Sequence, residues 1–444
     1  MPSLDFTLEQ QRILDCTSEN IIVSACAGSG KSSTLVEKAK REILLSRPWK
    51  KLAVLTFTNK SKDDLISKVN HPSIIITTFH SFIFENLFPF DPQVSDQLKE
   101  MFRVEVDNYT KWLDILYNKK TIVGSKGKSD FVLEHAIKLC NKKNVQHFFK
   151  SKFHAIYIDE AQDNNIQQYQ LIEFFIRLGI KILMVGDANQ TLYGFRGACS
   201  NTFTRYVHDN RFSSYDLKQN FRCHHIINRI ANSYSFPDEH VYEENMGYFV
   251  ININMLNQVV EKLVDESIVF LKKTNYELSD HDGKFSILKD ISFSPDLDVM
   301  VKKIVICLLK IKFKENYFMY NFLDELQIDI EKFKKNEIDF FRNCVEKYIY
   351  ENGNSLDGAL SLIGFAELNN QICETYSSLS QLEETKNFFQ NTNKHVTMTI
   401  HSSKGLEFDN VILKKDDLYH NGVLQKNNFY VSMTRARSRV LVIL

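Results

Sequence analysis

The sequence predicts an α/β protein built on two parallel-sheet domains, with mainly helical subdomains inserted into them. Three observations carry that expectation. Short β-branched runs alternate with helical patterns over residues 1–80, a second strand-rich segment occupies residues 396–444, and long helix-leaning stretches lie between. Composition agrees: of 444 residues, 43% are hydrophobic and 25% charged, which suits a globular chain and excludes wholesale disorder. The 55 Lys+Arg balance 55 Asp+Glu, so any basic surface must be local.

Taken in order, Asn20–Ala25 reads as a strand, Lys31–Ser46 as a helix, Leu52–Thr58 as a strand, Asn59–Val69 as a helix and Ile74–His80 as a strand. Continuous apolar strands between helices are the mark of a parallel sheet covered on both faces. The pattern lapses over 83–152, a helix-leaning insertion, and resumes at Ala155–Asp159, Lys181–Gly186 and Tyr215–Phe221. From His224 to about Gln390 the pattern is mostly helical, with three- and four-residue apolar spacing in Met255–Lys273 and Leu297–Lys314. Strands return at Val396–His401, Asn410–Leu413 and Arg439–Leu444.

No segment approaches the ~20 apolar residues that span a bilayer, so no membrane partner is expected. No export signal is visible, and the eight cysteines show no zinc-ligand or redox spacing. Reduced thiols and a cytoplasmic location are the expectation.

Residues 25–32 read Ala-Cys-Ala-Gly-Ser-Gly-Lys-Ser, directly after one strand and before one helix. That is the setting of a phosphate cradle. Ala27, Gly28, Ser29 and Gly30 let the backbone wrap a triphosphate, and the helix start through Ser33 adds a positive dipole end. Lys31 would reach the β- and γ-phosphates and Ser32 would hold Mg²⁺. The apolar strand at 155–158 ends in Asp159 and Glu160. At the carboxyl edge of a sheet these suit a Mg²⁺ ligand and a base that activates water, respectively. A third strand runs into Asp187-Ala188-Asn189-Gln190, where the Gln190 amide could sense the γ-phosphate.

The order of further signatures carries a resemblance. They are Phe6-Thr7-Leu8-Glu9-Gln10, the cradle, Thr56–Lys60, Thr78–Ser81, Ile158–Asp163, Val185–Gly197, Gln219-Asn220-Phe221-Arg222, Thr399–Phe408 and Tyr430–Ala436. In this order they resemble the UvrD/Rep/PcrA group of superfamily 1A DNA helicases, by motifs spread from Gln10 to Arg435. The resemblance implies two RecA-like domains of the P-loop NTPase type. The first (1A) spans 1–82 and 153–216, with the insertion 83–152 (1B) contacting DNA. The second (2A) spans 217–250 and 391–444, with a reduced, 2B-like accessory region over 251–390. It implies ATP and Mg²⁺ as cofactors, with Gln10 on the adenine edge, Phe221 stacked on the base and Glu407 on the ribose. Lys31, Glu160, Gln190, Arg222 and Arg435 form the implied catalytic set, with the two arginines closing on the γ-phosphate.

The same resemblance implies single-stranded DNA and single/double-strand junctions as partners, contacted by Phe57, Asn59, His80, Tyr193, Phe195 and Arg196. Aromatic platforms suit a motor that ignores sequence. Nine Lys against Asp130 and Glu134 between residues 119 and 152 give a local excess of 9 − 2 = +7, suited to tracking phosphates. Two departures stand out: Ala161 replaces the usual aromatic, and only about 175 residues separate the signatures around the accessory region. The compact chain is also similar to the helicase subunit of Gabija-type antiphage systems, which implies an OLD-family nuclease as partner. The leading expectation is thus an ATP-driven 3′-to-5′ DNA translocase and helicase. The alternative is a DNA-end-sensing NTPase subunit that activates a nuclease with little unwinding of its own.

Overall fold

The computed structural model describes residues 6–444, apart from 58, 70, 95–98, 127–129, 193–199, 280, 282–283, 289–290, 292, 295–296, 315–316, 318, 327, 329–332, 352–355 and 391–393. The chain forms two compact units. One comprises 1–98, 105–273 and 400–444, the other 99–104 and 274–399.

The first unit holds two sheets. Six strands make the first, in the spatial order Ile74–Thr78, Lys51–Thr56, Phe153–Ile158, Lys181–Gly186, Asn20–Ala25 and Ser213–Leu217, with every neighbouring pair parallel. The four inner strands are apolar and buried at their central residues, as helices on either side require, whereas the edge strands Ser213–Leu217 and Ile74–Thr78 are partly open. The helix Lys31–Leu44 lays Leu35, Val36, Ala39 and Ile43 on this sheet, against Ile21, Val23, Val54 and Tyr157. Three adjacent strands, ending at Ile158, Gly186 and Ala25, bring their carboxyl ends to one edge.

The second sheet of this unit contains Ile268–Lys272, Phe408–Lys414, Ala436–Ile443 and Met246–Ile251, all parallel, with Val241–Glu243 antiparallel at the edge. It departs from expectation in one respect. Met255–Lys273, which reads as helical, divides into a helix Leu256–Lys262 and a strand Ile268–Lys272. The run Ile-Val-Phe-Leu-Lys is buried at every position, and a short, fully buried apolar run has no periodicity by which to tell strand from helix. This sheet therefore draws a strand from inside the stretch read as the accessory region.

The insertion also differs in part. Besides the helices Tyr109–Lys119, Phe131–Leu139 and Lys143–Lys152, it contains strands Lys99–Val106 and Thr121–Ser125. Its core holds a buried polar network: His135 bonds Asp91 Oδ2 at 2.6 Å and the Tyr109 hydroxyl at 2.8 Å. Of the nine lysines, Lys120, Lys142 and Lys152 are tied to Gln93 O, Phe90 O and Asn86 Oδ1, whereas Lys119, Lys126, Lys143 and Lys150 are exposed.

The second unit is mainly helical. Helices Val299–Phe313, Lys335–Tyr350 and Asn369–Ser380 share a core of Val301, Ile304, Leu308, Phe341, Val345 and Ile372. The short strands Ser286–Ile287 and His395–Thr399 pair in parallel.

Candidate nucleotide site

The cradle follows from two backbone positions only glycine adopts without strain. Gly28 and Gly30 have φ of +67° and +77°, and Gly30 directly precedes the helix Lys31–Leu44. A Cβ on Gly28 would lie 2.6 Å from Arg222 Cβ and 2.9 Å from Asn220 Oδ1; one on Gly30 would lie 2.6 Å from Gln10 Nε2. Three signatures far apart in sequence thus converge on one loop. Gln10 donates from Nε2 to Ser29 O (3.1 Å), held by a capping box in which Thr7 and Gln10 serve each other at the start of the helix Leu8–Asp15. The Ser29 hydroxyl donates to Cys26 O (2.8 Å), tightening the loop. Ser32 and Ser33 follow Lys31 in the first helical turn.

On the neighbouring strands, Asp159 is buried and Glu160 half-buried. Glu160 has φ +51°, a left-handed conformation that costs a non-glycine residue about 1–2 kcal/mol and that breaks off the strand at this point. Its N–H donates to Asp159 Oδ1 (3.0 Å). Burial, with the Glu160 charge beside it, pushes the Asp159 carboxyl up. Glu160 is also raised by burial, but Lys31 and Lys404 outweigh this and hold it below the usual range. At neutral pH the pair therefore has one firmly ionised member and one easily protonated one. Gln162 links the strand ends: Nε2 donates to Glu160 Oε2 (2.7 Å) and Asp163 Oδ2 (3.2 Å), while Oε1 accepts from Asp187 N (2.9 Å).

Residues from the second sheet's side reach this edge directly. Phe221 N donates to Gly28 O (2.9 Å), and Ala27 N donates to the Tyr430 hydroxyl (3.2 Å). Arg435 is only 1% exposed; its guanidinium donates to Val431 O, Leu406 O and Gln190 Oε1, the last at 3.2 Å. Gln190 in turn donates to Asp187 Oδ2 (2.6 Å). Burial, reinforced by Arg222, lowers the Arg435 guanidinium to about 10. Arg222 donates from Nε to Glu407 Oε2 (2.8 Å) and from Nη1 to Thr434 O (3.3 Å), and Arg437 lies 3.3 Å from the other oxygen of Glu407. Phe221 is 55% exposed, an open ring face beside the loop.

The site also contains a residue to which sequence reasoning gave no role. Lys404 bonds Asp163 Oδ2 and donates to Gln190 O (3.1 Å), with Glu160 Oε2 3.8 Å away. It stands within the signature Thr399–Phe408, three residues before Glu407, so the signal was present. What was missing was the contact partner, Asp163, whose burial is visible only in the fold.

The positions expected to contact DNA are only partly described. Tyr193, Phe195 and Arg196 lie outside the described residues, as does the side chain of Asn59. His80 is bonded through Nε2 to Asp130 Oδ2 (3.0 Å), the cap of the helix Phe131–Leu139, and Phe57 is half-buried.

The residues present fit a magnesium nucleotide. The loop is shaped so closely that a methyl at Gly28 or Gly30 has no room, and a lysine, a hydroxyl and two carboxylates share its rim. Ser32 and Asp159 offer the hard oxygen donors Mg²⁺ takes.

Comparison with known proteins agrees with this geometry. The UvrD/REP helicase N-terminal domain matches residues 6–120 and 106–211, and the UvrD-like helicase C-terminal domain matches 395–443. The chain is 26% identical to Gabija protein GajB of Bacillus cereus over 96% of this chain and 93% of that one. It is 23% identical to ATP-dependent DNA helicase Rep of Salmonella typhimurium over 60% of this chain and 50% of that protein. With ATP-dependent DNA helicase PcrA of Bacillus subtilis it shares 26% identity over 50% of this chain and 38% of the other. The chain thus spans about half or less of Rep and PcrA but nearly all of GajB. Among the described residues no helix is long and apolar enough to cross a membrane. The cradle, Asp159, Glu160 and Gln190 fall inside the matched N-terminal domain, Lys404, Glu407 and Arg435 fall inside the matched C-terminal domain, and the chain belongs to the UvrD/Rep family of superfamily 1A helicases.

Proposed function

We propose that the chain is an ATP-driven translocase on single-stranded DNA, moving 3′ to 5′, whose power stroke is closure of the two sheet-bearing halves on the triphosphate. The observation that carries this reading is the position of Arg222 and Arg435. Both come from the second half, and they meet Gly28 and Gln190 of the first.

In this reading Lys31 and the cradle amides from Ala27 to Ser33 bind the phosphates. Gln10 and Phe221 hold the base, and Glu407 turns from Arg222 to the ribose. Ser32 and Asp159 would hold Mg²⁺, which when bound would supply charge neutralisation at the phosphate oxygens. Glu160, kept ionised by Lys31 and Lys404, is the base that takes the proton of the attacking water. Gln190 orients that water, and Arg435, bonded to Gln190, turns to the γ-phosphate. Two guanidiniums attracted to a third phosphate draw the halves together, and loss of that phosphate removes the attraction. DNA lies along Phe57, Asn59, His80, Tyr193, Phe195 and Arg196, with the exposed lysines of the insertion following its backbone.

The test is ATP hydrolysis with and without single-stranded DNA. Strong stimulation is expected, and Lys31→Ala or Glu160→Gln should cut turnover by about 10²–10⁴-fold. Turnover indifferent to DNA, or to both substitutions, overturns the proposal.

A second reading is favoured by the nearly end-to-end match to GajB. Here the chain is a DNA-end-sensing subunit of a Gabija-type defence system, passing nucleotide state to an OLD-family nuclease. Strand displacement on a tailed duplex separates the two: robust unwinding by the chain alone excludes a sensor that does not unwind.

A further inference from the structure

Outside the nucleotide site, one cluster of ligand-type side chains sits just beyond the turn that carries Arg222. His224 precedes the helix His225–Ser233, and Glu243 ends the strand Val241–Glu243 beside it. One ligand atom from each of His224, His225 and Glu243 lies within 4.8 Å of the other two. His225 Nε2 and Glu243 Oε2 are 3.2 Å apart. Two donors bound to one tetrahedral ion at ~2.0–2.1 Å stand about 3.4 Å apart, so this pair already has the separation of two ligands on one metal. His225 and Glu243 are exposed, and their side chains are free to close the remaining distance to His224.

A second observation points the same way. His224 Nδ1 is shielded from solvent and has no hydrogen-bond partner among the described residues. A buried ring nitrogen left without a partner carries an uncompensated desolvation cost, which a metal or a metal-bound water removes. The backbone is fixed on both sides: His224 N donates to Arg437 O (2.8 Å), and the strand ending at Glu243 pairs with Met246–Tyr248. The N-terminal end of the helix at His225 disfavours a cation, and the Glu243 charge offsets this.

We propose that His224, His225 and Glu243 form a binding site for one divalent transition ion of the Zn²⁺ class, with water completing the coordination. Two imidazoles and one carboxylate select such an ion over Mg²⁺ or Ca²⁺, which take oxygen ligands. Bound there, the ion ties the hairpin at 241–251 to the segment that runs from Arg222 into the helix.

The experiment is titration of the reduced, metal-stripped full-length chain with Co²⁺ and then Zn²⁺, followed by visible absorption and calorimetry. One equivalent of Co²⁺ should bind with a tetrahedral or five-coordinate d–d spectrum and without a thiolate-to-cobalt band, and Zn²⁺ should displace it. His225→Ala and Glu243→Gln should each weaken binding at least tenfold, and His225→Gln provides a second, milder variant. The stripped variants should match the stripped parent in melting temperature, separating lost ligation from lost folding. Absence of a stoichiometric site, a thiolate band, or equal affinity in the parent and the folded variants overturns the assignment.

Discussion

Replacing Lys404 with methionine probes the deepest contact between the two halves of the site. Lys404 joins Asp163, Gln190 O and the vicinity of Glu160. Asp163 is 2% exposed; burial pushes its carboxyl up to about 6, with Lys404 pulling the other way. Methionine keeps the length and removes the charge, leaving a buried carboxylate without its cation. Removing one side of a buried pair costs about 3–5 kcal/mol, unless the survivor takes up a proton. That escape makes the loss depend on pH. A carboxyl whose folded value is raised contributes stability below its ordinary value near 4, and this is lost as pH rises through the folded value. Without Lys404 the folded value rises further, so the deficit is largest near pH 8 and shrinks below pH 6. At roughly 1–2 °C per kcal/mol for a chain of this length, melting should fall by about 3–10 °C at pH 8 and by about 2 °C or less at pH 5. Thermal unfolding of the full chain at the two pH values measures this, and Asp163→Asn in the same background should remove the pH dependence. An equal drop at both values, or none, refutes the reasoning.

Three further outcomes follow from the geometry. Gly28→Ala forces a methyl to within 2.6 Å of Arg222 Cβ at a φ of +67°, so it should lower melting by several degrees and abolish nucleotide binding measured by fluorescence. Phe221→Ala removes a ring already 55% exposed; stability should hold within about 0.5 kcal/mol while KM for ATP rises about tenfold, and unchanged KM would remove Phe221 from the base site. Because burial and Glu160 raise the Asp159 carboxyl, Mg²⁺–nucleotide binding should release protons at pH 6 and progressively fewer toward pH 9. Calorimetry in buffers of different ionisation enthalpy reads this directly, and buffer-independent heats at pH 6 count against Asp159 as a ligand.

Much of this site was legible in the amino-acid order because its chemistry is local. The run from Ala25 to Ser32 needs only a strand before it and a helix after it, and both are announced by periodicity. Asp159 and Glu160 likewise end an unmistakable apolar strand. What escaped were residues whose meaning lies in long-range contact. Lys404 acquires a role only when 241 residues of separation from Asp163 collapse to an ion pair. Gln162 joins two strand ends, a fact no single window contains. The strand Ile268–Lys272 escaped for a different reason: buried on both faces, it loses the alternation by which strands are recognised.

The arginines carry the central claim, and a crystal structure with Mg²⁺ and ADP–aluminium fluoride tests it most directly. The account predicts the fluoride in the Lys31 cradle, within hydrogen-bond distance of both the Arg222 and Arg435 guanidiniums. Arg435 still bound only to Val431, Leu406 and Gln190, with Arg222 still on Glu407, would contradict it.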